Sequence, residues 1–89
     1  MSKTDKLNLK IVTPEKLAFQ EDVEYVKIPG GAGDIGVYNG HSPLVTTLQT
    51  GEIVIMDRAA KSVKKTLKTK GGFAEVNTNS CTILSDSID

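Results

Sequence analysis

Eighty-nine residues, 38% of them hydrophobic and 25% charged, set the scale of one small domain with a single core. Eleven basic against eleven acidic residues leave no formal net charge, which removes the long-range field of a nucleic-acid or anionic-lipid binder. The longest unbroken apolar run, residues 53–56, is far below the roughly 18 residues that a membrane-crossing helix needs.

Leu7, Leu9 and Ile11 alternate with Asn8 and Lys10, a period of two that predicts a strand ending at Thr13-Pro14. The opening residues before it show neither an apolar stretch after their charges nor an Arg-rich pattern, so nothing in them reads as a secretion signal or transit peptide. Residues 23–28, rich in β-branched and aromatic side chains, predict a second strand that stops at Pro29-Gly30-Gly31. Gly36-Val37-Tyr38 precede the turn signal Asn39-Gly40, and Pro43-Leu44-Val45 restart an extended run.

Gly51 opens a strand over 52–57. The stretch after it has two readings: Ala59, Ala60, Val63 and Leu67 fall at helical spacing, while Val63, Lys65 and Leu67 alternate with Lys64 and Thr66. A strand over 62–68 is preferred, because 52–57 otherwise lacks a sequential partner. Gly71-Gly72 open 73–76, and the turn cluster Asn77-Thr78-Asn79-Ser80 joins it to 81–84 as a hairpin. Short strands punctuated this regularly predict an all-β fold, a small two-sheet β-sandwich of about eight to ten short, mostly antiparallel strands. Phe19 and Phe73 are assigned to its core. The single cysteine, Cys81, has no internal disulfide partner, and its alternating segment makes it a small core hydrophobe.

Few residues are equipped for chemistry. Gly31-Ala32-Gly33-Asp34-Ile35-Gly36 spells the G-x-G-x-x-G of dinucleotide sites, but Asn39-Gly40 and Pro43 follow too soon for the helix whose amino end would hold a pyrophosphate. The expected structure is a glycine-rich corner between two strands with Asp34 at its tip. One His and one Cys, with no H-x-x-x-H or C-x-x-C, give no local basis for a metal site or a Cys/His pair, so no catalytic, metal or cofactor-binding residue is assigned. Four aromatics without Trp are a poor stacking platform for single strands. The basic residues Arg58, Lys61, Lys64, Lys65, Lys68 and Lys70 read first as a solvated hairpin.

The run Val26-Lys27-Ile28-Pro29-Gly30-Gly31-Ala32-Gly33-Asp34-Ile35-Gly36-Val37-Tyr38-Asn39-Gly40-His41-Ser42-Pro43-Leu44 resembles the heart of the epsilon subunit of bacterial F-type ATP synthases. There a glycine corner with an acidic residue leads into G-[IV]-x-x-[GN]-H-[AS]-P-L. Leu9-Lys10-Ile11-Val12-Thr13-Pro14-Glu15 and Phe19 look like the family's opening strand, and Gly71-Gly72-Phe73-Ala74-Glu75-Val76 with Thr82-Ile83-Leu84-Ser85-Asp86 look like its closing hairpin. Ala32 departs from the pattern at a position often acidic in the family.

The resemblance implies a non-catalytic rotor subunit of the central stalk, which clamps the gamma subunit to the c-ring and couples ion flow to ATP synthesis or hydrolysis. Thr13, His41, Val45 and Thr46 match positions that face gamma, and Ala32, Gly33 and Asp34 match the corner that meets the c-ring, where a carboxylate can pair with basic loops. It further implies a peripheral place on the cytoplasmic face of the bacterial inner membrane and no cofactor. Typical members continue into a helical hairpin that binds ATP and inhibits hydrolysis. Here the expectation is a flexible tail over 1–6, a sandwich domain over 7–86 and a short tail over 87–89 without that hairpin. By resemblance the basic stretch 58–70 could approach an acidic surface of the catalytic head. The alternative reading is a free-standing sandwich that recognises a peptide or small ligand through the loops of 30–43.

Overall fold

The alternation of β1 (Leu7–Val12) is realised as expected: Leu7, Leu9 and Ile11 are wholly buried while Lys10 faces solvent. The computed structural model describes residues 6–57 and 62–89. After β1 the chain turns back through Thr13, whose N–H donates to the Lys16 carbonyl at 2.9 Å, and β2 (Leu17–Val23) pairs antiparallel with β1. The sequence reading had no separate strand here. β2 lies at an edge, so Gln20, Glu21 and Asp22 remain in water and the sequence carries no clean two-residue period.

The expected strand over 23–28 is divided. Val23 ends β2, a bend falls at Glu24, and β3 (Tyr25–Gly30) continues through Pro29, whose carbonyl accepts the Gln49 N–H at 2.8 Å. β3 pairs with β4 (Gly33–Val37) across a two-residue tip, Gly31-Ala32. Asp34 is therefore not at the tip: it lies within β4, opposite Pro29. There follow β5 (Leu44–Leu48), β6 (Gly51–Asp57), β7 (Ser62–Thr69), β8 (Gly72–Val76) and β9 (Ser80–Ser85). β7 pairs antiparallel with β6, and β8 with β9, as the sequence reading required. The helical spacing that involves Ala59 and Ala60, like Arg58 and Lys61 of the basic stretch, falls outside the described residues.

The strands form two layers, β2-β1-β9-β8-β5 and β4-β3-β6-β7, joined by the pair Gly30 and Leu48. Of the strand pairs, β1 with β9 is parallel and the rest are antiparallel. Three segments cross from layer to layer side by side, β5 into β6, β7 into β8, and β9 into residues 87–89, where Ile88 bridges Thr69. At this bend Gly72 has φ +132°, and a Cβ there would collide with the Leu84 carbonyl, so no other residue fits. Thr69 and Ser85 are buried at the same bend with their hydroxyls 2.6 Å apart.

Between the layers lie Leu9, Ile11, Val26, Ile28, Ile53, Ile55, Val76, Cys81 and Ile83. Cys81 is the expected core hydrophobe, and burial pushes its thiol up to about 12. Phe19 packs against this cluster partly buried, but Phe73 does not belong to it. Ala74 and Val76 take the inward phase of β8, which turns Phe73 and Glu75 outward.

Candidate interaction site

On the outer face of the first layer, strand register lines up apolar side chains. Leu17 is opposite Val12, Val12 opposite Leu84, Leu84 opposite Phe73, and Phe73 opposite Thr47, a transverse row across five adjacent strands. Val45 stands two pairs further along β5, on the same face and opposite Glu75. Leu17, Leu84, Phe73 and Val45 each keep more than half of their surface exposed. One shallow depression along the row is lined by Val12, Thr13, Pro14, Phe73 and Leu84, and a second by Val45, Phe73, Thr82 and Leu84. An apolar row rimmed by Lys10, Gln20 and Glu75 is the signature of a protein-docking surface, because water at these side chains is released when a partner covers them. The sequence shows only that Phe73 shares a face with Glu75, not that this face is the outer one.

Two of the residues matched to gamma, Thr13 and Val45, line these depressions, whereas Thr46 takes the inward phase of β5. Val45 is part of the apolar surface. Thr46, its neighbour, is half-buried opposite Ala74 and donates its hydroxyl to the Thr47 carbonyl at 3.1 Å. Thr13 ends β1 beside the first depression; it is buried, and its hydroxyl donates to the Lys16 carbonyl at 3.2 Å. His41 is outside the core, half-buried in the loop that leads into β5. Its Nδ1 lies 2.7 Å from the Ser42 carbonyl, to which that nitrogen donates. The His41 ring meets Tyr38 edge-on at 6.4 Å, and Tyr38 stacks on Tyr25.

The residues matched to the ring run from the tip of the β3–β4 hairpin into β4, and Ala32, Gly33 and Asp34 are exposed. The Asp34 carboxylate is 3.8 Å from the Lys27 ammonium on the neighbouring strand, and both are open to solvent. The glycine motif leads into strand β4, so the backbone here offers no helix amino end to an anion. Among the described residues no group of three His, Cys, Asp or Glu side chains could hold a metal, and no helix is long and apolar enough to cross a membrane.

Fold and surface define the class: a small β-sandwich that leaves an apolar row and a glycine hairpin open to solvent. Comparison with known families gives the particular one. Residues 6–89 match the family model described as "ATP synthase, Delta/Epsilon chain, beta-sandwich domain", and the chain belongs to that family. It is 39% identical over 82 residues to the ATP synthase epsilon chain of Parvibaculum lavamentivorans, covering 92% of this chain and 61% of that one. Against the epsilon chain of Caulobacter vibrioides it is 38% identical over 81 residues, 91% of each chain. The chain thus spans about three-fifths of the first relative and nearly all of the second. A chain in the cryo-EM structure of the Euglena gracilis mitochondrial ATP synthase, resolved with OSCP, F1 and c-ring, shares the fold: TM-score 0.85, 23% identity, all of this chain and 56% of that one. A chain of the Tetrahymena thermophila mitochondrial ATP synthase central stalk and c-ring shares it at TM-score 0.77 and 18% identity, covering 99% of this chain and 69% of that one.

Proposed function

We propose that this chain is a non-catalytic rotor subunit in the central stalk of an F-type proton-translocating ATP synthase, where it clamps the gamma shaft to the c-ring and couples ion flow to ATP synthesis or hydrolysis. The observation that carries this reading is the apolar row of Leu17, Leu84, Phe73 and Val45, open to solvent in a chain of no net charge. In this proposal gamma covers the row and also contacts Thr13, Thr46 and His41, the last offering its Nε2 for a hydrogen bond with the shaft. Ala32, Gly33 and Asp34 meet the polar loops of the c-ring, where Asp34 exchanges its exposed Lys27 partner for a basic residue of the ring.

The epsilon-chain names of the relatives and the stalk and ring assemblies that contain the structural neighbours support the same assignment. The functional unit is the sandwich domain over 7–86. It needs no cofactor and is held peripherally, through its partners, on the cytoplasmic face of a bacterial inner membrane. Affinity capture from a membrane lysate tests the proposal. The wild-type chain should recover gamma and c subunits, and Phe73→Glu with Leu84→Asp should keep the fold yet lose gamma. Recovery of neither subunit by the wild type would return the assignment to a free-standing binding module.

A further inference from the structure

We infer that Gln49 is a positioning residue whose side-chain amide locks the β3–β4 hairpin onto the end of β5, so that the surface proposed for the shaft and the corner proposed for the ring move as one rigid strut. This rests on the rotor reading above. A hairpin tip made of Gly30, Gly31, Ala32 and Gly33 is by composition pliable, since three of its four residues lack a Cβ. Residues 47–49 hold it with four hydrogen bonds. The Gly31 N–H donates to the Thr47 carbonyl at 2.9 Å, and the Gln49 N–H donates to the Pro29 carbonyl at 2.8 Å. The two N–H groups of the Gln49 amide serve the carbonyls of Gly30 at 2.9 Å and Gly31 at 3.1 Å.

The first glycine of the pattern that mimics a nucleotide fingerprint, Gly31, has its explanation in this contact. A Cβ on Gly31 would lie 2.5 Å from the Thr47 hydroxyl, and one on Gly30 would lie 2.7 Å from Ile35 Cδ1 and 2.8 Å from the Gly33 carbonyl. At Gly31 the tip is thus pressed against β5 with no space for a side chain, at Gly30 the hairpin's own strand β4 fills the space, Gly33 is set by its positive φ, and Gly36 leaves room for the Tyr25 hydroxyl. The same strand, β5, presents Val45 outward and receives the hairpin at Thr47 and, just beyond it, Gln49. A load applied at Val45 therefore reaches Ala32 and Asp34 through hydrogen bonds rather than through a free loop.

Gln49→Leu keeps the size of the side chain and removes the donors, and Gln49→Glu replaces them with acceptors at neutral pH. In the isotope-labelled 89-residue chain, amide exchange at Gly31 should quicken about three- to tenfold in both variants, a modest factor because Gln49 is exposed, while Val26 and Ile83 stay protected. Gln49→Glu should regain part of the Gly31 protection as pH falls through the ordinary glutamate range near about 4.3, because a protonated carboxyl donates once, whereas wild type and Gln49→Leu should show no such recovery. In the assembled synthase Gln49→Leu should still recover gamma but lose ATP-driven proton pumping relative to ATP hydrolysis. Unchanged exchange at Gly31, or loss of protection throughout the core, overturns the local clamp. Faster exchange at Gly31 with undiminished pumping per ATP overturns the strut and leaves the rotor reading intact; a wild-type chain that recovers neither gamma nor c subunits overturns both.

Discussion

Single residues in this fold are constrained for different physical reasons, and substitution separates them. Gly33 has φ +138° with open space where a Cβ would go, so Gly33→Ala meets backbone strain alone and should cost about 1–3 kcal/mol. Gly72 combines a similar φ with a collision against the Leu84 carbonyl, and Gly72→Ala should cost more than that range or prevent folding. Denaturant unfolding of both variants checks the order; equal costs would show that the collision is relieved by a small shift of β9. Cys81 makes a prediction in pH. Its pKa is raised in the folded chain from an ordinary 9.0 to about 12, so the unfolded chain loses that proton first. Stability from this group is full below pH 9 and declines as pH rises from 9 towards 12. Thermal melts should show that decline, less steep in Cys81→Ala, whose remaining slope reports the other alkaline groups.

At the scale of elements, the layer-crossing bend depends on a short chain of hydroxyls. The Gly71 N–H donates to Thr69 Oγ1 at 3.2 Å, Thr69 and Ser85 share a hydrogen bond, and the Ser85 hydroxyl donates to the Ser87 carbonyl at 2.8 Å. In that order each group donates once. Thr69→Val keeps the shape and breaks the chain at its centre, and it should cost about 1–3 kcal/mol because a buried N–H loses its acceptor. The loss should appear in urea unfolding and as faster exchange at Gly71. The β3–β4 hairpin is held differently. The Lys27–Asp34 pair is exposed and contributes little to folding, so Asp34→Asn and Asp34→Lys should both leave the melting temperature nearly unchanged. If Asp34 meets basic loops of the ring, Asp34→Lys should impair proton pumping per ATP more than Asp34→Asn, and added salt should worsen the milder variant. Equal, negligible effects would remove Asp34 from that interface.

For the whole molecule the apolar row and the glycine motif make opposite predictions about binding. A charge placed in the row, as in Phe73→Glu, should weaken gamma binding at least about tenfold, close to 1.4 kcal/mol, without unfolding the domain, since the side chain is already in water. Binding isotherms with purified gamma, read beside circular dichroism, measure this directly. The glycine motif should bind no nucleotide: it enters a strand instead of a helix, and the Gly31 N–H that could donate to a phosphate is already given to the Thr47 carbonyl. Calorimetric titration of the 89-residue chain with ATP should give no saturable heat. Saturable binding that persists in high salt would place a nucleotide site within the sandwich.

The amino-acid sequence by itself determined the elements whose burial is periodic and whose ends carry turn residues: β1 through Leu7, Leu9 and Ile11, β6 through Ile53 and Ile55, and the hairpin at Asn77-Thr78-Asn79-Ser80; β7, at an edge and mostly exposed, was read as a strand only because β6 needed a partner. The glycine, His and Pro spacing of 36–44 was equally legible, because it records local backbone demands. β2 was not legible, since a strand at an edge has too little buried surface to impose a period. Nor was the outward turn of Phe73, because a strand shows which residues share a face but not which face the second layer will cover. That choice belongs to the tertiary structure, where Ala74 and Val76 fill the narrow space between layers and Phe73 is left to form the row with Leu84 and Val12. The clamp of Gln49 on the hairpin is of the same kind: it joins residues 18 and 19 positions apart, and nothing local to either segment requires the other.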